Sequence, residues 1–142
     1  LGTPYWNPEV KGTIYGITRG TRKEHIVKAL LEGIAMRCSE VINVIEKATG
    51  IQIREIVADG NTSRSDHLLQ LIADFSGKEV LKAKNLEGTS RGAYLLTKGG
   101  FKDKRIDEVH VEPEIEKTFK PRPREIEGYR NLLRYILEFS KK

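Results

Sequence analysis

The sequence is poor in the residues that most chemistry-bearing sites need. Of 142 residues, one is Cys, one is Met and three are His. A single thiol excludes a disulfide within the chain, so an apolar core must carry the fold. Cys38 stands among Ile34, Ala35, Val41 and Ile42 and is expected to be a small core residue in a reducing compartment. His25, His67 and His110 are scattered, and no His/Cys cluster has zinc spacing. No apolar run approaches the length of a membrane span, and no secretory leader opens the sequence. No nucleophile elbow is present. Gly88-Thr89-Ser90-Arg91-Gly92 lacks the Gly-Lys-Ser/Thr ending of a Walker loop, which excludes that way of holding phosphates. There is no internal repeat.

What is present is a balanced, charged, globular composition. Apolar residues are 38% and charged residues 32%, enough apolar material for a core and too much for disorder. The net charge is +5, with Lys and Arg interleaved with Glu along the chain. That pattern favours a solvated surface over a nucleic-acid footprint, so no nucleic acid and no membrane is expected as partner. The length suits one domain or a large piece of one. Leu1 is not an initiator Met, and the chain is expected to be part of a longer protein.

The stretch 53–75 organises the rest. Residues 53–58 have the β-branched content of a short buried strand. Asp59-Gly60-Asn61 is a tight turn, and the polar run 62–66 offers caps for a helix. Leu68, Leu69, Ile72 and Phe75 then fall on one helical face. A strand, a glycine turn and a helix N-terminus present backbone N–H groups and a positive dipole end to an anion. Many α/β domains carry such a turn without a ligand, so its shape alone does not assign one.

Around that centre, Tyr5 and Trp6 lie in a Pro/Gly loop and are expected to anchor on the core. Residues 13–18 read as a short strand. Thr21 and Glu24 form a capping box for a long helix over 22–48, ending at Gly50. Its stripe of Ile26, Leu30, Ile34, Val41 and Ile45, widened by Val27, Leu31, Ala35, Cys38 and Ile42, is broad enough to lie on a sheet. Gly77 stops the central helix, 79–83 is a strand, and 91–98 is a helix whose Gly92 and Ala93 permit close approach. Residues 101–116 read as irregular and 119–124 as a loop whose Lys120, Arg122 and Arg124 are solvated. A last amphipathic helix covers 125–140. Alternating strands and helices argue for a parallel sheet with crossover helices.

The blocks resemble a known family. Leu1-Gly2-Thr3-Pro4-Tyr5-Trp6-Asn7-Pro8, Gly12 and Ile17-Thr18-Arg19-Gly20-Thr21 resemble a segment of the FGGY carbohydrate kinases, of the glycerol kinase type. His25-Ile26, Ala29 and 31–35 resemble the helix after it. Asp59-Gly60 with Leu68-Leu69-Gln70 and Asp74 resemble the family's Asp-Gly-Gly-Ala turn and helix. Glu87, Thr89 and Gly92-Ala93 resemble the next block, and Phe119, Pro121 and Tyr129 the tail. The resemblance covers nearly the whole chain. It implies a ribonuclease H-like, actin-like ATPase fold, with residues 1–142 the C-terminal portion of the second domain. It implies a cytoplasmic kinase that moves the ATP γ-phosphate to glycerol or another polyol, with Mg2+. In such kinases the turn and the helix opening face the nucleotide's adenosine and phosphates. Gly60, Asn61, Ser65 and, nearby, Gly92 are thereby the candidate nucleotide contacts. Asn61 replaces the family's second Gly, Ser65 replaces the helix-opening Asn, and Asn7 replaces an Asp. Arg64 stands where the family has a small residue. The catalytic base, the magnesium ligands and most of the polyol site lie upstream in the family, so no catalytic or metal residue is expected here. The expected state is a homo-oligomer or association with the upstream half. A sugar kinase such as a xylulokinase, and a non-catalytic nucleotide- or partner-binding module of the same fold, are the alternative readings.

Overall fold

A computed structural model of the chain describes residues 2–100, 112–122 and 127–139. In order they form α1 (Lys23–Thr49), β1 (Glu55–Ala58), a 3-10 turn (Asn61–Arg64), α2 (Asp66–Ser76), β2 (Glu79–Ala83), α3 (Gly88–Gly100), β3 (Ile115–Phe119) and α4 (Glu127–Phe139).

α2 is the centre. It crosses from β1 to β2, which pair in parallel with Ile56 opposite Val80. Its two sides are both buried. Leu69 and Ala73 meet Val80, Phe119 and Ile56 on the sheet. Leu68, Leu71 and Phe75 meet Ala35, Leu31 and Tyr129. Residues expected on a single face are thus divided between two layers, with Ile72 touching both. α1 therefore lies on α2 and not, as its broad stripe suggested, on the sheet of this chain. The helix ends follow their sequence signals. Gly50 and Gly77 both take the left-handed conformation, φ 69° and 70°, and each returns its N–H to a carbonyl four residues back.

The sheet is mixed, in the order β1-β2-β3. β3 runs antiparallel to β2, with Phe119 opposite Val80, and slips in register between Lys82 and Ala83. The sequence of β3, Ile-Glu-Lys-Thr-Phe, reads as irregular because only its last residue is buried; the ladder, not an apolar face, makes it a strand. Phe119 closes β3 instead of opening a loop. The reverse correction applies to residues 13–18. They form no strand, and Ile14, Tyr15 and Ile17 are exposed. The α1 start also differs. Thr21 Oγ1 accepts from the Thr18 N–H, and the imidazole Nδ1 of His25 accepts from the Arg22 N–H at 3.2 Å. His25 thus does the work assigned to Glu24.

Three polar ties fix the layers. Ser39 Oγ donates to the Phe75 carbonyl between α1 and α2. Glu46 Oε1 accepts from both Lys78 Nζ and the Ile53 N–H, joining the end of α1 to the entries of β1 and β2. Asp74 and Gln70 on α2 clamp the segment after β3: Arg122 donates to the Asp74 carboxylate through Nη2, Nε and its backbone N–H, and Gln70 Nε2 donates to both Asp74 and the Lys120 carbonyl. Arg122 is exposed, as expected, and in addition forms an ion pair with buried Asp74. Tyr5 does not pack on the core as expected: it is exposed, and is tied to α1 through its hydroxyl at Glu40 and its ring beside Arg37. Trp6 is 75% exposed.

Candidate functional site

The turn between β1 and α2 is built from the backbone outward. Gly60 has φ 86°, a value that favours glycine, and its N–H donates to the Leu86 carbonyl at 3.0 Å. That bond binds the turn to the loop that opens α3. Ser63, buried within the turn, donates its hydroxyl to the Asp59 carbonyl at 2.5 Å, and its N–H reaches the Gly60 carbonyl. Ser63 is the residue that sequence reasoning passed over; as a small polar residue in a polar run it gave no signal beyond turn propensity.

Ser65 caps α2: its Oγ accepts from the Leu68 N–H at 3.3 Å. Asp66 follows it and is held from two sides, by Lys117 Nζ at 2.7 Å and Lys82 Nζ at 3.1 Å. Lys117 and Lys82 together hold the Asp66 carboxyl below the usual carboxylate range. Lys82 also reaches Glu116 at 3.3 Å, and hydrogen bonding to Asp66 raises its own pKa. The helix N-terminus at this turn is thereby locked to β2 and β3.

The close approach lies at Gly88, not at Gly92. A Cβ on Gly88 would stand 1.5 Å from the Asp59 carboxylate, whereas one on Gly92 would meet nothing within 4 Å. The Asp59 carboxylate therefore sits against the first residue of α3, where a helix N-terminus favours negative charge. Gly60, Asn61 and Ser65 are brought together on one turn, and Gly92 lies about one helical turn along α3 from that contact. Beside them opens a hollow of about 770 Å3, lined by Arg64, Lys84, Leu86, Glu87, Arg91 and Glu114, among others. None of the four predicted contacts lines it; their chain neighbours Arg64 and Arg91 do. Lys84 is paired with Glu114 at 2.7 Å. Among the described residues Arg64 makes no ion pair, so its guanidinium is available to a ligand. No group of three His, Cys, Asp or Glu side chains suited to a metal ion is assembled among the described residues.

A strand, a glycine turn stitched to the next loop, a capped helix and a hollow beside them make up the candidate site. Residues 1–98 match the model of the FGGY family of carbohydrate kinases, C-terminal domain. The chain belongs to that family. Glycerol kinase from Pediococcus pentosaceus is 39% identical over 125 residues, 86% of this chain and 24% of its own length. Among solved structures, xylulose kinase from Lactobacillus acidophilus superposes with a TM-score of 0.76 at 23% identity, covering 98% of this chain and 28% of that one. Plasmodium falciparum glycerol kinase, solved with ADP, gives 0.71 at 25% identity, over 97% of this chain and 28% of that one. The FGGY chain thus spans about a quarter of the length of the curated relatives it matches. The fold it shares with them is the ribonuclease H-like, actin-like ATPase fold expected from the resemblance.

Proposed function

We propose that this chain works as the C-terminal part of a cytoplasmic glycerol kinase, supplying the adenosine-side wall of the cleft in which the ATP γ-phosphate passes to a glycerol hydroxyl. The observation that carries this reading is the pinned turn 59–66, together with relatives named glycerol kinase. Gly60 and Asn61 present backbone to the nucleotide, and Ser65 and Gly92 flank it. Phosphoryl transfer depends on positioning and electrostatics. The residues here bind and orient; activation of the acceptor hydroxyl and the placement of magnesium fall to the rest of the enzyme.

Calorimetry with ADP tests the placement. Asn61→Gly and Ser65→Asn together restore the family pattern and should tighten ADP binding; unchanged or weaker binding counts against this site. In a coupled assay with ATP, magnesium and glycerol, the chain alone should give no turnover. Turnover at the rate of an ordinary kinase would refute the division of labour. The second reading, a nucleotide-binding module without transfer, draws its support from the same two departures, since Ser65 spends its hydroxyl on the helix cap. Restored ADP affinity with no activity in any assembled enzyme would favour it.

A further inference from the structure

The hollow beside the turn lies at the carboxyl end of the parallel pair β1 and β2, between the segments that lead into α2 and α3. In an open α/β sheet that is the end at which ligands bind. Its volume of about 770 Å3 is that of a small-molecule site.

The lining narrows the ligand. Three cations, Arg64, Lys84 and Arg91, and three carboxylates, Glu87, Glu112 and Glu114, border the hollow. Lys84 is paired with Glu114 at 2.7 Å, and Arg91 Nη2 donates to the Glu112 carbonyl at 3.4 Å. The charges balance, so a phosphate placed among them meets as many carboxylates as cations and gains little. A flat neutral group with hydrogen-bond donors fits better. The carboxylates accept from its donors, and half-buried Leu86 gives it an apolar wall. The base and ribose of a nucleotide are such a group, and its phosphates are not.

Arg64 stands apart from the other two cations. It is exposed and makes no ion pair among the described residues. It closes the 3-10 turn that Asn61 opens. The Gly60 N–H, bonded to the Leu86 carbonyl, fixes that turn against the wall of the hollow. A guanidinium is planar and weakly hydrated and stacks on aromatic faces, which the ammonium of Lys does less well. Bases stack on arginine planes as they do on aromatic rings.

We infer that Arg64, which stands where the resemblance puts a small residue, is a base-contacting residue particular to this chain, with its guanidinium laid across the adenine in the hollow. The inference rests on the nucleotide reading and deepens it. Arg64 raises the affinity for the nucleoside part of the ligand and leaves the phosphates to other groups.

Amide chemical-shift titrations of the 142-residue chain, carried to millimolar adenosine, ADP and pyrophosphate, test this. In the wild type, adenosine and ADP should both shift the amides of 60–65 and 84–91. Arg64→Ala should weaken both by the same factor, about fivefold, the size of a cation–π contact of about 1 kcal/mol. Arg64→Lys keeps the charge without the plane and should stay closer to Arg64→Ala than to the wild type. Both variants should keep the wild-type unfolding midpoint, since the side chain they replace is exposed. A loss confined to ADP, with pyrophosphate weakened in step, would make Arg64 a phosphate contact and overturn the inference. Full rescue by Arg64→Lys would do the same. Adenosine and ADP affinities unchanged in Arg64→Ala would overturn it too, while leaving the nucleotide reading in place. A wild type that binds neither adenosine nor ADP would sink the nucleotide reading and this inference with it.

Discussion

Replacing Asp74 by Asn should destabilise the chain by about 2 kcal/mol at pH 7. The Asp74 side chain is 3% exposed and accepts at 2.8 Å from Arg122 Nη2, at 3.0 Å from the Arg122 N–H and at 2.8 Å from Gln70 Nε2. Asn keeps the shape and one acceptor oxygen but removes the charge and turns an NH2 toward donors. Hydrogen bonds to a charged group contribute about 1.5–3 kcal/mol. Breaking a fully buried pair costs about 3–5 kcal/mol, but the Arg122 side chain is 63% exposed and regains water, so the lower range applies. The pH dependence has a definite sign. Burial pushes the Asp74 carboxyl up, but the Arg122 guanidinium, the Arg122 N–H and the Gln70 amide together hold it below the usual carboxylate range. A group whose pKa is lower folded than unfolded stabilises above its unfolded value of about 3.9 and loses that contribution as pH falls through the folded one. Urea unfolding of wild type and Asp74→Asn should therefore differ most near pH 7 and converge below about pH 4. A difference under about 0.5 kcal/mol at pH 7, the size of an ordinary surface substitution, would refute the clamp; so would a difference that widens toward acid.

Three further outcomes are expected. Leu69→Ala empties a fully buried site between α2 and the sheet and should cost about 3 kcal/mol in denaturant unfolding; a loss below 1 kcal/mol would mean that α2 does not sit on β2. Tyr129→Phe removes the hydroxyl that donates to buried Glu32 at 2.9 Å while keeping the edge-on ring contact with Phe75, so stability should fall by about 1 kcal/mol, and an unchanged midpoint would show that the α4 contact is not formed. Gly88→Ala should leave stability nearly unchanged, because the exposed Asp59 side chain swings away and a helix gains about 1 kcal/mol from Ala over Gly. Its ADP affinity in calorimetry should nonetheless fall, since the turn loses its contact with α3; an unchanged affinity would separate that contact from the site.

Local chemistry was legible in the sequence wherever one segment sufficed to decide it. The glycine ends of α1 and α2, the long helix, the strand–turn–helix at 53–75 and the family blocks were all readable because caps, periodicity and turn chemistry act within a few residues. Tertiary structure decided what depends on distant partners. Residues 13–18 have the side chains of a strand but pair with no strand among the described residues, while 115–119 lack an apolar face and become a strand because β2 supplies the ladder. The choice of Gly88 over Gly92 came from an Asp59 carboxylate 29 residues away in sequence. Arg122 stays largely in solvent but gains an ion-pair partner because Asp74, 48 residues earlier, is buried on α2. A helix is made by hydrogen bonds four residues apart and can be read in place. A strand, an ion pair or a close glycine contact is a property of two segments, and only the folded chain brings the second one near.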